Sequence, residues 1–339
     1  MKKTKNNTMP SLPFVSLCTP TFNRRPFIPF MIKCFEHQTY PKDKIEWIIV
    51  DDGTDPIQDL VNHIPQVKYY YNNNKMLLGK KRNFMHKKCR GDIIIYMDDD
   101  DYYPPERIEH AVTTLQKNPQ ILLAGSSEMH IYFDSQDKIY QCGPYKEYHA
   151  TAATFAFRKE LLNITKYDDD LAFAEENKFT KGYTIPLVQL DTLKTILVFS
   201  HKHNSLNKEK LLENPAQSKM SLSKFTVDDF IKDPFLKQFY MHDMNSLLVS
   251  YEPGRPEHKP QLLEQIKTAE INREKRMTEY NQMLSTQNNQ KINASNDEIV
   301  NEMRNSYEKK IDDKNYIINE LIKKIKLLNE EISTLKSKL

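Results

Sequence analysis

The chain predicts an α/β fold built on a doubly wound, mainly parallel sheet and followed by a C-terminal helical coiled coil. Three observations carry that prediction. Short β-branched or apolar runs alternate with amphipathic stretches from Pro13 to about Ser200, the rhythm of βαβ units. Two of those runs end in acids, Asp51-Asp52 and Asp98-Asp99-Asp100-Asp101, at the sheet edge where open α/β folds bind ligands. Beyond Pro260 the composition turns to Lys, Glu, Asn and Ile with neither Gly nor Pro, and a heptad pattern sets in.

Taken in order, residues 14–18, 45–50, 67–71 and 92–97 read as strands, and residues 25–37, 56–63 and 79–89 between them as helices. Pro104 and Pro105 start a further helix that runs to Lys117. The rhythm then loosens. Residues 121–133 and 138–141 read as less regular strands, and 134–154, with Gly143-Pro144 and several tyrosines, as a mobile functional loop. Strands at 187–190 and 195–199 close the catalytic-sized part. The domain plan is a disordered N-terminus over 1–11, the α/β domain over 12–205 and a helical extension over 206–250. A linker at 251–260, marked by three prolines and a glycine, leads to a helical tail over 261–339. The heptad is strongest over 311–339. Ile311, Ile318, Ile325, Ile332 and Leu339 hold one seam position and Leu321, Leu328 and Leu335 the other, with Lys314 the single polar residue.

Composition sets the class. A chain of 339 residues is long enough for one good core and an appendage, and a net charge of +3 gives none of the basic field that nucleic-acid binders need. Cys18, Cys34, Cys89 and Cys142 show no CxxC pairing and no zinc spacing, and read as reduced cysteines. No apolar stretch suggests a membrane span and the first ten residues hold no signal-peptide core, so a cytoplasmic location is expected.

The acid clusters carry the chemistry. Four adjacent carboxylates repel one another unless a cation offsets them, and an all-oxygen set suits Mg²⁺ or Mn²⁺ held together with phosphates. An acidic surface loop is the plainer alternative; the strand in front argues against it. Thr19-Pro20-Thr21-Phe22-Asn23-Arg24 ends the first strand at the same edge, where a nucleotide pocket or a simple turn and helix cap explains it equally well. Lys80, Lys81 and Arg82 follow Gly79 at a helix start, against the dipole preference, as suits a bound diphosphate or else a solvated basic face.

In this order the motifs resemble the family-2 glycosyltransferases of GT-A fold. Pro20-Thr21-Phe22-Asn23-Arg24 is similar to the family's Pro-Thr-Tyr-Asn-Arg, and Val50-Asp51-Asp52-Gly53-Thr54 to its Val-Asp-Asp-Gly-Ser. Gly79 through Arg82-Asn83 resembles a shortened Gly-x-x-x-Ala-Arg-Asn, and Asp98-Asp99-Asp100-Asp101-Tyr102 the Asp-x-Asp-Asp-Tyr that contains the DXD motif. The resemblance covers about Leu12 to Ser205. It implies a nucleotide-sugar donor, with a UDP-sugar the first choice. Pro20, Thr21, Asn23, Arg24, Asp51, Asp52, Lys80, Arg82, Asp98 and Asp99 would line the donor site. Asp98, Asp100 and Asp101, with His201 or His203, would hold Mn²⁺ or Mg²⁺. Ala174-Glu175-Glu176-Asn177 resembles the family's Glu-Asp motif with Glu for Asp, which makes Glu176 the implied general base of inverting transfer and Glu175 its flanking acid; helix-starting acids are the alternative. The Gln-x-x-Arg-Trp motif of processive members is absent, so transfer of a single sugar to an acceptor hydroxyl is expected. A catalytically degenerate domain serving as a coiled-coil scaffold is the rival, and a homo-oligomer formed through the tail is expected under either.

Overall fold

The computed structural model describes residues 12–213 and 215–336, and the expectation for residues 1–11 lies outside them. It divides into two units, Met1–Lys267 and Thr268–Leu339.

The first unit is built on a seven-stranded sheet. Its strands are β1 (Val15–Thr21), β2 (Ile45–Asp51), β3 (Val67–Tyr71), β4 (Ile93–Tyr96), β5 (Leu123–Gly125), β8 (Ala156–Arg158) and β9 (Leu187–Gln189), in the order β3-β2-β1-β4-β8-β5-β9. β3, β2, β1 and β4 run parallel, and β8 is antiparallel to both β4 and β5. β2 and β4 are buried on both faces, which is why they read as near-continuous apolar runs. A second sheet of four strands joins β6 (Met129–Phe133), β7 (Lys138–Cys142), β10 (Leu197–Ser200) and β11 (Met220–Leu222) in the order β10-β6-β7-β11. The single run expected over 121–133 is therefore two strands in different sheets, parted at Ser126-Ser127. The expected loop over 134–154 begins as the β6–β7 hairpin, turning through Asp137 at φ 48°.

Helices α1 (Ile28–Glu36), α2 (Gln58–Val61) and α3 (Leu78–Lys88) connect the parallel strands, and α4 (Arg107–Lys117) follows the acidic turn. α3 is unusual in burying charge: Lys81 and Arg82 are covered along with Gly79, Met85 and His86. Gly79 is required by a close approach. A Cβ there would lie 1.9 Å from the Asp168 carbonyl oxygen, and its N–H donates to the Leu171 carbonyl at 2.8 Å. That contact fixes the 168–175 loop against α3, just before α5 (Glu176–Phe179).

Residues 206–250 are mixed, with short helices, β11 and a π-helical stretch at Phe239–Asp243. Residues 251–260 are packed into the domain, unlike a linker. Asn23 donates to the Pro253 carbonyl at 2.8 Å and Arg24 to the Gly254 carbonyl at 3.3 Å. The compact unit accordingly ends at Lys267. The second unit is helical and belongs to the long helix Pro260–Lys336. In it Ile311, Ile318, Leu321, Ile325, Leu328 and Ile332 are all exposed; the side chain of Leu335, and Leu339, lie outside the described residues. Among the described residues no helix is long and apolar enough to cross a membrane.

Candidate active site

The carboxyl ends of β1, β2 and β4 converge on a cavity of about 320 Å³, walled by the strand ends, α3, the 172–175 loop and residues 259–266. β2 delivers Asp52 to its floor. There Oδ1 accepts from Lys81 Nζ at 2.5 Å and Oδ2 from the Met76 N–H at 2.6 Å, while Lys81 also donates to the Thr21 carbonyl at 2.8 Å. Neighbouring Asp51 turns away from the cavity. Its oxygens accept from the Gly53 N–H, the Ile57 N–H and the Tyr69 hydroxyl, so it braces the turn.

The acidic turn after β4 splits in the same way. Asp98, Asp99 and Asp100 line the cavity, and Asp101 points behind it, accepting from the Phe199 N–H at 3.2 Å. Arg24 bridges two of the lining acids, with Nε 3.5 Å from Asp99 and Nη2 3.3 Å from Asp100. Burial pushes the Asp98 carboxyl up to about 6, against the opposing pull of Arg82. Burial and the Asp100 charge push Asp99 up to about 7. Asp101 is raised as well, through burial and Asp100. Asp100 goes the other way: burial would raise it, but the His201 hydrogen bond and the Arg24 charge outweigh burial and hold it below the carboxylate range. His201 is itself lowered to about 4, mainly by burial. Its Nε2 lies 3.2 Å from Asp100 Oδ2.

On the opposite wall, Arg82 donates from Nε to Glu175 Oε1 at 3.0 Å, and its guanidinium lies 4.3 Å from the Tyr96 ring centroid. Asp98 Oδ1 and Arg82 Nη1 are buried near each other without hydrogen-bond partners. Glu176 follows Glu175 but is not part of the cavity wall. Burial, then the Glu175 charge, raise its carboxyl to about 7.

Of the residues singled out from sequence, Pro20, Thr21, Arg24, Asp52, Arg82, Asp98, Asp99, Asp100 and Glu175 meet at this cavity. Lys80 does not. It is exposed, because one step along α3 turns it outward and Lys81 inward. Asn23, in the left-handed region at φ 53°, clasps the β2 turn by accepting from the Thr54 and Asp55 N–H groups. His203 offers only its backbone carbonyl to Arg24; its ring packs by Tyr251 and against Gly254, where a Cβ would come within 2.6 Å of Nδ1. Lys75, Lys81 and Lys259 are the cavity cations missing from the donor set expected from sequence.

A divalent cation meets suitable chemistry here. The lining acids are hard oxygen donors, the buried Asp98 Oδ1 atom accepts no hydrogen bond, and burial, with the Asp100 charge beside it, raises Asp98 and Asp99. Among the described residues no three such groups are already gathered as a metal centre.

Residues 16–164 match the model of glycosyl transferase family 2. That match lies wholly within the first unit. Its fold is the α/β GT-A type, followed by a long C-terminal helix. Among solved structures, residues 1–349 of S. aureus TarS in complex with UDP-GlcNAc align at 17% identity and TM-score 0.48, over 74% of this chain and 78% of that one. The mannosyltransferase PcManGT from Pyrobaculum calidifontis, in complex with GDP-Man and Mn²⁺, aligns at 16% identity and TM-score 0.46, over 76% and 75%. No curated protein sequence matches the chain.

Proposed function

We propose that this glycosyltransferase moves one sugar from a nucleotide-sugar, a UDP-sugar before others, to an acceptor hydroxyl with inversion at the anomeric carbon. The observation that carries this reading is the meeting of Asp52, Asp98, Asp99 and Asp100 with five cationic side chains in one cavity at the sheet edge. The Asp52 carboxylate, fixed by Lys81 and the Met76 N–H, keeps acceptor capacity for a ribose hydroxyl or a base N–H.

Inverting transfer needs a base on the face opposite the leaving group. Glu176 takes that role in our reading. As the acceptor oxygen bonds to the anomeric carbon, its proton passes to the Glu176 carboxylate, and the electron pair of the breaking bond leaves on the diphosphate oxygen. A carboxyl raised to about 7 is matched to that task near neutrality. Its place off the donor wall suits the acceptor side, and Glu175, clamped by Arg82, positions the pair. Asp98, Asp100 and His201 are the residues that would hold Mn²⁺ or Mg²⁺, which when bound neutralises charge developing on the departing diphosphate.

The exposed heptad of the second unit supports self-association as a parallel coiled coil, and the four free, buried cysteines support a cytoplasmic enzyme. Release of nucleoside diphosphate from a panel of UDP- and GDP-sugars, with and without Mn²⁺, tests the activity. Release from neither class under any metal condition would leave the degenerate-scaffold reading in its place.

A further inference from the structure

Five cationic side chains line the donor cavity, and they are not equivalent. Arg24 is paired with Asp99 and Asp100, Lys81 with Asp52, and Arg82 with Glu175 and Asp98. Lys75 and Lys259 have no carboxylate within ion-pairing distance among the described residues. Both ammonium groups approach the ring of Phe22, which also lines the cavity. Lys75 Nζ lies 4.1 Å and Lys259 Nζ 5.7 Å from the centroid of the Phe22 ring. Lys75 also donates to the His258 carbonyl, and Lys259 to the Ser205 hydroxyl at 3.1 Å. Neither bond neutralises a charge.

We propose that Lys259, with Lys75 beside it, binds the diphosphate of the donor, so that a segment beyond the family-2 region supplies a substrate-contacting residue. This rests on the nucleotide-sugar reading above and names the group that takes the anion. Two unpaired cations facing one cavity leave positive charge that a diphosphate neutralises, and each ammonium has donors to spare for phosphate oxygens. Burial and the neighbouring Arg24 charge push Lys259 down to about 7, a cost that a bound anion reverses.

The segment is held firmly enough for the role. Asn23 and Arg24 donate to the carbonyls of Pro253 and Gly254. On its other side, the Gln265 amide accepts from the Ala172 N–H at 2.9 Å and donates to the Asp170 carbonyl at 2.8 Å. Lys259 is thus anchored between the loop after β1 and the loop that leads to Glu175.

The test compares ligands that differ only in phosphate. Calorimetric titration of the full chain with uridine and UDP, and with guanosine and GDP, establishes the base that binds and the affinity its diphosphate adds. For Lys259→Ala the gain from nucleoside to diphosphate should shrink about tenfold to a hundredfold, the range of a lost charge-assisted contact, with nucleoside affinity unchanged. Lys259→Arg should keep most of the gain. Lys75→Ala should shrink it independently, which preserves the test if Lys259→Ala fails to fold. An unchanged ratio in both alanine variants, or equal weakening of nucleoside and diphosphate, would overturn the assignment. A wild-type chain that binds neither diphosphate would overturn the nucleotide-sugar reading itself.

Discussion

Replacing Asp52 by Asn probes the floor of the cavity most sharply. The Asp52 side chain is fully buried and that of Lys81 is 6% exposed, so the substitution leaves an ammonium inside the protein with only neutral acceptors. Removing one partner of a buried ion pair costs about 3–5 kcal/mol, because the remaining charge stays desolvated. For a domain of this size each kcal/mol lowers Tm by about 2–4 °C, so Asp52→Asn should melt about 6–20 °C below wild type. Adding Lys81→Met removes the stranded charge, and the double variant should recover most of the loss. Thermal unfolding of wild type, both single variants and the double variant, followed by circular dichroism, closes the cycle. A loss under about 1 kcal/mol for Asp52→Asn, or a double variant no better than the single, would refute the view that this pair sets the cavity floor.

Three further outcomes follow from the same geometry. Asp100→Asn should leave the fold intact and abolish the thermal stabilisation that UDP with Mn²⁺ adds to wild type; retained stabilisation would show that Asp100 is not a metal ligand. Glu176→Gln should keep donor affinity and cut transfer by about 10²–10⁴, and Glu175→Gln made beside it tells the two apart. The wild-type rate should climb with pH through about 7 as Glu176 ionises, and stability should move oppositely. A carboxyl raised above its ordinary 4.5 stabilises fully below that pH, and the contribution is lost as pH rises through about 7; Glu176→Gln should flatten that slope. Ile325→Asp should convert an oligomer to a monomer in light scattering, since a carboxylate in the seam is costly to bury, while donor binding persists. A wild-type chain already monomeric at micromolar concentration would remove the coiled coil.

Much of the frame was legible because it is written locally. β1, β2 and β4 are short buried runs bounded by turn residues, and the residues at or just after the ends of β2 and β4 bring the acids to one edge whatever lies elsewhere in the chain. What sequence missed depends on phase or on distance. Lys80 and Lys81 are chemically identical neighbours, and only the rotation of α3 about the Gly79 contact decides which one faces Asp52. Asp101 reads like Asp100 until the turn after β4 aims it at the Phe199 N–H. Lys259 sits in a proline-rich stretch with every local mark of a linker, and its place in the cavity is set by contacts to Asn23, Arg24 and Asp170, far away in the chain. β8 has only three residues and joins β4 to β5 inside the sheet without a periodic signal of its own.

The central claim is that the cavity at the ends of β1, β2 and β4 is the donor site. A crystal structure of the full chain with UDP and Mn²⁺ addresses it directly. The account predicts the nucleoside against Asp52 and Thr21, and the diphosphate between the acidic turn and the Lys75 and Lys259 ammonium groups. Nucleotide density elsewhere on the domain, or a diphosphate turned away from both lysines and the acidic turn, would contradict it.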